Sequence, residues 1–96
     1  MLVKWNVSVK ESMKKQQEKL PKKVAEEFRT LVLEMERLGP LRHNWKSFGK
    51  LKGSDTLYHC HIKTGRPTYV VCWKVKDKKI QIIEVYYVGT HEKAPY

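Results

Sequence analysis

The run Leu57-Tyr58-His59-Cys60-His61-Ile62-Lys63 sets basic groups at every second position. On an extended strand, successive side chains point to opposite sides, so His59, His61 and Lys63 share one face while Tyr58, Cys60 and Ile62 share the other. Arg66 follows in the next turn. Imidazoles that titrate near neutral pH, set beside cations, can both move protons and hold a phosphate. A second cluster closes the chain as Gly89-Thr90-His91-Glu92-Lys93-Ala94-Pro95-Tyr96. There His91 could donate a proton, Glu92 could pair with a cation or orient His91, and Tyr96 offers a stacking ring and a hydroxyl. The plainer readings are a solvated strand face for the first cluster and a frayed terminus for the second.

These clusters need a sheet to position them. Residues 2–9 alternate between apolar and polar types, the period of a half-buried strand. Ser8 precedes Glu11 by three positions, the spacing of a capping box, which predicts a first helix running to about Leu20. Pro21 suits the first turn of a second helix. Its apolar stripe is Val24, Phe28, Leu31, Met35 and Leu38, ended by Gly39-Pro40. From Leu41 to Ser54 the chain reads as a basic, glycine-punctuated loop anchored by Trp45 and Phe48. Three strand-like runs follow, at 56–63, 68–76 and 79–88. Short hairpins at Thr64-Gly65-Arg66-Pro67 and Asp77-Lys78 join them. The last run is apolar on both faces apart from Gln81 and Glu84, which predicts a central strand. The expected fold is α+β, ordered β-α-α-β-β-β, with an antiparallel-rich sheet and two N-terminal helices packed on one face. The other face is left free for function.

A chain of 96 residues suffices for one domain, spanning 1–96, and one small core. Twenty Lys and Arg against ten Asp and Glu give a formal charge of +10, so polyanions or an acidic protein are the natural partners. Cys60 and Cys72 lie in strand-like surroundings and read as reduced core thiols. A zinc site is not expected, because Cys60 points away from the flanking His59 and His61 on a strand. The N-terminus lacks the apolar run of a signal peptide and no stretch reaches a membrane span, so a cytoplasmic location and no membrane partner are expected.

The order of elements and the two clusters together resemble the RelE/ParE superfamily of toxins from toxin–antitoxin systems. The resemblance covers nearly the whole chain. Its second half, LYHCHIKTGRPTYVVCWKVKDKKIQIIEVYYVGTHEKAPY, is similar to that family's three-stranded meander and its C-terminal VGxRExxxxY ending. The family's alternating basic residues fall on His59 and His61, its Arg or His after the terminal glycine on His91, and its late tyrosine on Tyr96, with one residue of gap. Where the family starts its third strand with a transition-state arginine, this chain has Thr68, Tyr69 and Val70, so Arg66 or Lys63 would have to substitute.

What the resemblance implies is a toxin that cleaves mRNA on the ribosome and so inhibits translation, using acid and base without a metal or other cofactor. His59 or His61 would be the base and His91 the acid. Lys63 and Arg66 would meet the phosphorane charge, and Tyr96 would hold the nucleotide. Lys46, Lys50, Lys52 and Lys93 would grip RNA, including ribosomal RNA. The partners would be mRNA, the ribosome and a cognate acidic antitoxin. Two other functions fit the same features: a ParE-like poison of DNA gyrase with no RNA cleavage, and a non-catalytic nucleic-acid-binding module. In the latter, aromatics such as Tyr58, Tyr69, Trp73, Tyr86 and Tyr87 would stack bases.

Overall fold

The computed structural model describes residues 4–96, so Leu2 and Val3 of the expected first strand lie outside it. The described chain forms β1 (Asn6–Val9), α1 (Lys14–Glu18), α2 (Lys22–Leu38), β2 (Lys46–Lys50), β3 (Leu57–Lys63), β4 (Tyr69–Asp77) and β5 (Ile82–Thr90). Single 3-10 turns precede α1, at Glu11–Met13, and follow β5, at His91–Lys93. The strands make one sheet in the order β1-β5-β4-β3-β2. All neighbours are antiparallel except β1 and β5. The expected α+β class, with two helices and a mostly antiparallel sheet, is observed.

The apolar stripe of α2 explains the main layer. Val24, Phe28, Leu31 and Met35 are buried against Tyr58, Cys60, Ile62, Val71, Trp73, Val75, Ile83 and Val85 from three strands. Leu38, expected to extend the stripe, is the last residue of α2 and is 68% exposed. Gly39 stops it with a φ of 92°, and a Cβ there would sit 3.0 Å from the indole nitrogen of Trp5. That combination of left-handed backbone and close approach calls for glycine. The indole of Trp73 donates to the Pro40 carbonyl at 3.2 Å, so this buried ring is also satisfied.

Several boundaries differ from the sequence reading. Ser8 does not cap a helix: it pairs with Glu84 in the β1–β5 ladder, and the turn at Glu11 has no side-chain cap. Pro21 stands just before α2 and accepts from the amide of Ala25 rather than occupying the first turn. The helix α1 is short and has no buried residue, but Gln16 donates to the Val88 carbonyl at 2.8 Å and so satisfies a strand group of β5. The expected loop over 41–54 contains a fifth strand, β2, whose register slips between Lys46 and Gly49. Ser47 takes a φ of 56° within that slip. The β4–β5 connection is longer than Asp77-Lys78, because the Asp77 carboxylate accepts from the amides of Lys79 and Ile80 and holds them in a turn. β5 is interior, as expected, although β4 is the middle strand.

Phe28 is 2% exposed in the centre of the α2 stripe. Replacing it with alanine is expected to destabilise the protein by about 3–5 kcal/mol. Urea unfolding followed by tryptophan fluorescence checks this, and an unchanged midpoint would remove α2 from the core.

Candidate active site

Cross-strand register builds the site. His61 lies opposite Val70, and Val70 opposite Gly89; His59 lies opposite Cys72, and Cys72 opposite Tyr87. These rows occupy the face away from α2, where Val70, Cys72 and Tyr87 form a second, smaller apolar cluster with Met13, Tyr86 and Ala94. The histidines stand beside this apolar floor. Both cysteines are free and buried, as the strand pattern suggested. Burial pushes each thiol up to about 12, which keeps them out of nucleophilic chemistry near neutral pH.

The end of β5 delivers His91 to the same place. The Tyr87 hydroxyl donates to the Thr90 carbonyl at 2.7 Å, and the His91 amide donates to the Thr68 carbonyl at 2.8 Å. Gly89 leaves room for this arrangement, since a Cβ there would overlap Gln16 and the Tyr87 hydroxyl. The ring centres of His61 and His91 are 5.5 Å apart, edge to face. Tyr96 returns over the sheet, with its ring 4.7 Å from His59 and 5.9 Å from His91. The C-terminal segment is therefore folded back against the histidine row rather than frayed.

His61 and His91 open into a cavity of about 520 Å³ that is also lined by Arg66, Thr68 and Glu92. Of the cations expected to meet phosphate charge, Arg66 lines this cavity, whereas Lys63 lines a different groove, with Lys46. A bulge after His61 accounts for the difference: Lys63 pairs with Tyr69, a residue packed on the main core, and leaves the histidine row. Lys46, read as a loop residue, is on β2 directly opposite His61. Lys50 lies opposite Tyr58, on the α2 side of the sheet and away from the histidines. Lys52 is in the turn after β2 and Lys93 in the final 3-10 turn, both exposed. His59 is distinguished from His61 by its surroundings, because its Nδ1 is buried without a hydrogen-bond partner beneath Tyr96.

Desolvation lowers the pKa of His59, and the neighbouring His61 and His91 lower it further. Desolvation also lowers His61, followed by His91 and Lys46. Both imidazoles therefore take up a proton less readily than a free imidazole. Among the described residues no three of His, Cys, Asp and Glu converge as a metal site requires. No helix among them is long and apolar enough to cross a membrane.

Sequence reasoning missed one polar network beside this site. The Glu34 carboxylate on α2 accepts from Trp45 Nε1 at 2.7 Å, Asn44 Nδ2 at 2.8 Å and Arg42 Nη1 at 3.2 Å. These hydrogen bonds and the Arg42 charge outweigh the opposing effect of partial burial and lower the Glu34 pKa. A signal was available, since Glu34 directly precedes the stripe residue Met35 and three polar or indole donors follow the helix.

No protein-family model matches the chain, and comparison with curated proteins finds no match. Solved structures do match. A chain of the archaeal RelE–RelB complex from Pyrococcus horikoshii OT3 superposes with a TM-score of 0.74 at 20% identity, over 95% of this chain and 99% of that one. The isolated E. coli RelE toxin gives 0.70 at 22% identity, covering 95% and 88%. A mutant E. coli RelE in the free state gives 0.71 at 20%, covering 93% and 85%. The chain has the RelE toxin fold. On this RelE fold the histidine row, the His91 turn and Arg66 all meet on the sheet face that α2 leaves uncovered.

The lowered histidines make stability depend on pH. Between their folded values and the ordinary 6.5, the unfolded chain binds more protons than the folded one, so stability rises with pH across that window. Acidification through the same window is expected to lower the unfolding midpoint. The His59→Gln, His61→Gln double variant should lose part of that dependence. In NMR titrations of the His91→Gln variant, the His61 pKa should move up toward 6.5, because one source of its lowering is gone.

Proposed function

We propose that this protein is the toxin of a toxin–antitoxin system, a metal-independent endoribonuclease that cleaves mRNA on the ribosome and inhibits translation. The observation that carries this reading is the shared cavity of His61, His91 and Arg66. Two imidazoles and a guanidinium are the groups that cleavage of RNA by its own 2′-hydroxyl requires. The RelE fold of the chain, matched over 93–95% of its length, supports the same reading.

In the proposed step, neutral His61 takes the proton of a ribose 2′-hydroxyl as that oxygen attacks the adjacent phosphorus. The bond from phosphorus to the 5′-oxygen breaks, and protonated His91 gives its proton to the leaving oxygen. The products are a 2′,3′-cyclic phosphate and a 5′-hydroxyl. Arg66 meets the charge that builds on the non-bridging oxygens. Of the two candidate bases, His61 opens into the cavity with the acid, whereas His59 is covered by Tyr96 and supports that ring. Tyr96 is 48% exposed and free to stack on a nucleotide from the solvent side.

His91→Gln and His61→Gln are each expected to lower the single-turnover cleavage rate about 10²–10⁴-fold. The double variant should fall by much less than the product, because acid and base serve one transition state. The rate should be bell-shaped in pH, with its ascending limb below 6.5 because the base is lowered, and it should persist in excess chelator. Mapping the ends of cellular transcripts checks the product chemistry. If both variants cut at the parent rate, or the parent inhibits growth without cutting RNA, the ribonuclease reading gives way to gyrase poisoning or simple binding.

The antitoxin is proposed to be an acidic protein, since a formal charge of +10 on so small a domain attracts one and repels itself. Its affinity should weaken steeply between low and high salt in titration calorimetry. An affinity unchanged in molar salt would replace this account with an apolar interface.

A further inference from the structure

His61 lines two grooves. One is the cavity shared with His91 and Arg66; the other, of about 630 Å³, lies toward α2 and is lined by Lys46, Lys63, Asn44, Trp45 and Glu34. The strand pairings explain why cations collect in this second groove. Lys46 is directly opposite His61, Lys63 follows the bulge after His61, and both line this groove. The wall between them is rigid, because Glu34 ties Trp45, Asn44 and Arg42 together through three hydrogen bonds, and Arg42 is only 8% exposed. Those donors offset the Glu34 charge, so the groove presents two exposed ammonium groups beside a polar wall. Glu27, exposed on α2, is the other carboxylate at its rim.

We propose that this second groove is the subsite for the nucleotide next to the cleaved bond, with its phosphate on Lys46 and Lys63 and its sugar or base against the Asn44–Trp45 wall. The proposal rests on the ribonuclease reading of the first cavity. RNA then crosses the sheet at His61, with the reacting phosphate on the Arg66 side and the neighbouring phosphate on the lysine side. Lys63 thereby changes role, from meeting phosphorane charge to gripping the flanking strand.

The test uses RNA oligonucleotides of two and four nucleotides, blocked by a 2′-O-methyl group at the scissile ribose and titrated into the whole protein by fluorescence anisotropy. The longer oligonucleotide should bind more tightly. Lys46→Gln and Lys63→Gln should each remove about tenfold of that gain, and each should flatten the salt dependence by about 0.7 in log–log slope. Lys78→Gln, in the β4–β5 turn, controls for general charge loss and should keep the gain. With cleavable RNA, Lys63→Gln should raise KM rather than lower kcat. Equal weakening of both lengths, no gain with length, or a loss confined to kcat would overturn the proposal. If the gain and its lysine dependence are present but cleavable RNA stays intact, the ribonuclease reading fails while the groove still binds nucleotide. If RNA is cut but length brings no gain, the groove fails and the chemistry stands.

Discussion

Because successive strand residues face opposite ways, burying Tyr58, Cys60 and Ile62 under α2 forces His59 and His61 onto the other side of the sheet. A one-residue slip of β3 would exchange the two sets, putting imidazoles into the core and rings into solvent. The α2 stripe therefore does more than stabilise the fold. By fixing the register of β3 on β4 and of β4 on β5, it also sets His59 beside Cys72 and His61 beside Val70, and it brings Gly89 and the start of the His91 turn alongside.

The same arrangement sets the electrostatics. Two imidazoles over an apolar floor, with His91 and Lys46 close by, resist a further proton, so His61 remains a base below the pH at which a free histidine would be charged. Such a site is short of negative charge. The proposed phosphodiester substrate would supply that charge and offset the repulsion between the cations where two imidazoles and Arg66 converge. The excess of cations over the rest of the chain favours the encounter at longer range, and salt screens that attraction.

The parts of this molecule set by local pattern were legible in the sequence. The β3 alternation, with His59 and His61 on one face, and the α2 stripe as far as Met35 follow from periodicity alone, whereas His91 and Tyr96 were singled out by their place after the last strand and by the family resemblance. The parts set by pairing between distant strands were not. β2 was hidden because Gly49 and the left-handed Ser47 break any alternation over five residues. The separation of Lys63 from the Arg66 cavity was not legible, because the bulge after His61 depends on the register of β4, which no spacing within β3 encodes. Ser8 had the spacing of a cap, but its backbone was already engaged with β5. The Glu34 network was missed for a similar reason: its donors become neighbours only when the chain turns back after α2.

The position of His91 rests on backbone hydrogen bonds and one hydroxyl rather than on packing of its own side chain. Tyr87 and Thr68 hold Thr90 and His91 at the end of an interior strand, so His91 inherits the rigidity of the sheet while its side chain stays exposed. His59 shows the opposite arrangement: its ring is held between strand and Tyr96, with a buried nitrogen left unpartnered. In the proposed reaction, His91 would thus supply a set geometry for proton transfer and Tyr96 a ring face for the base.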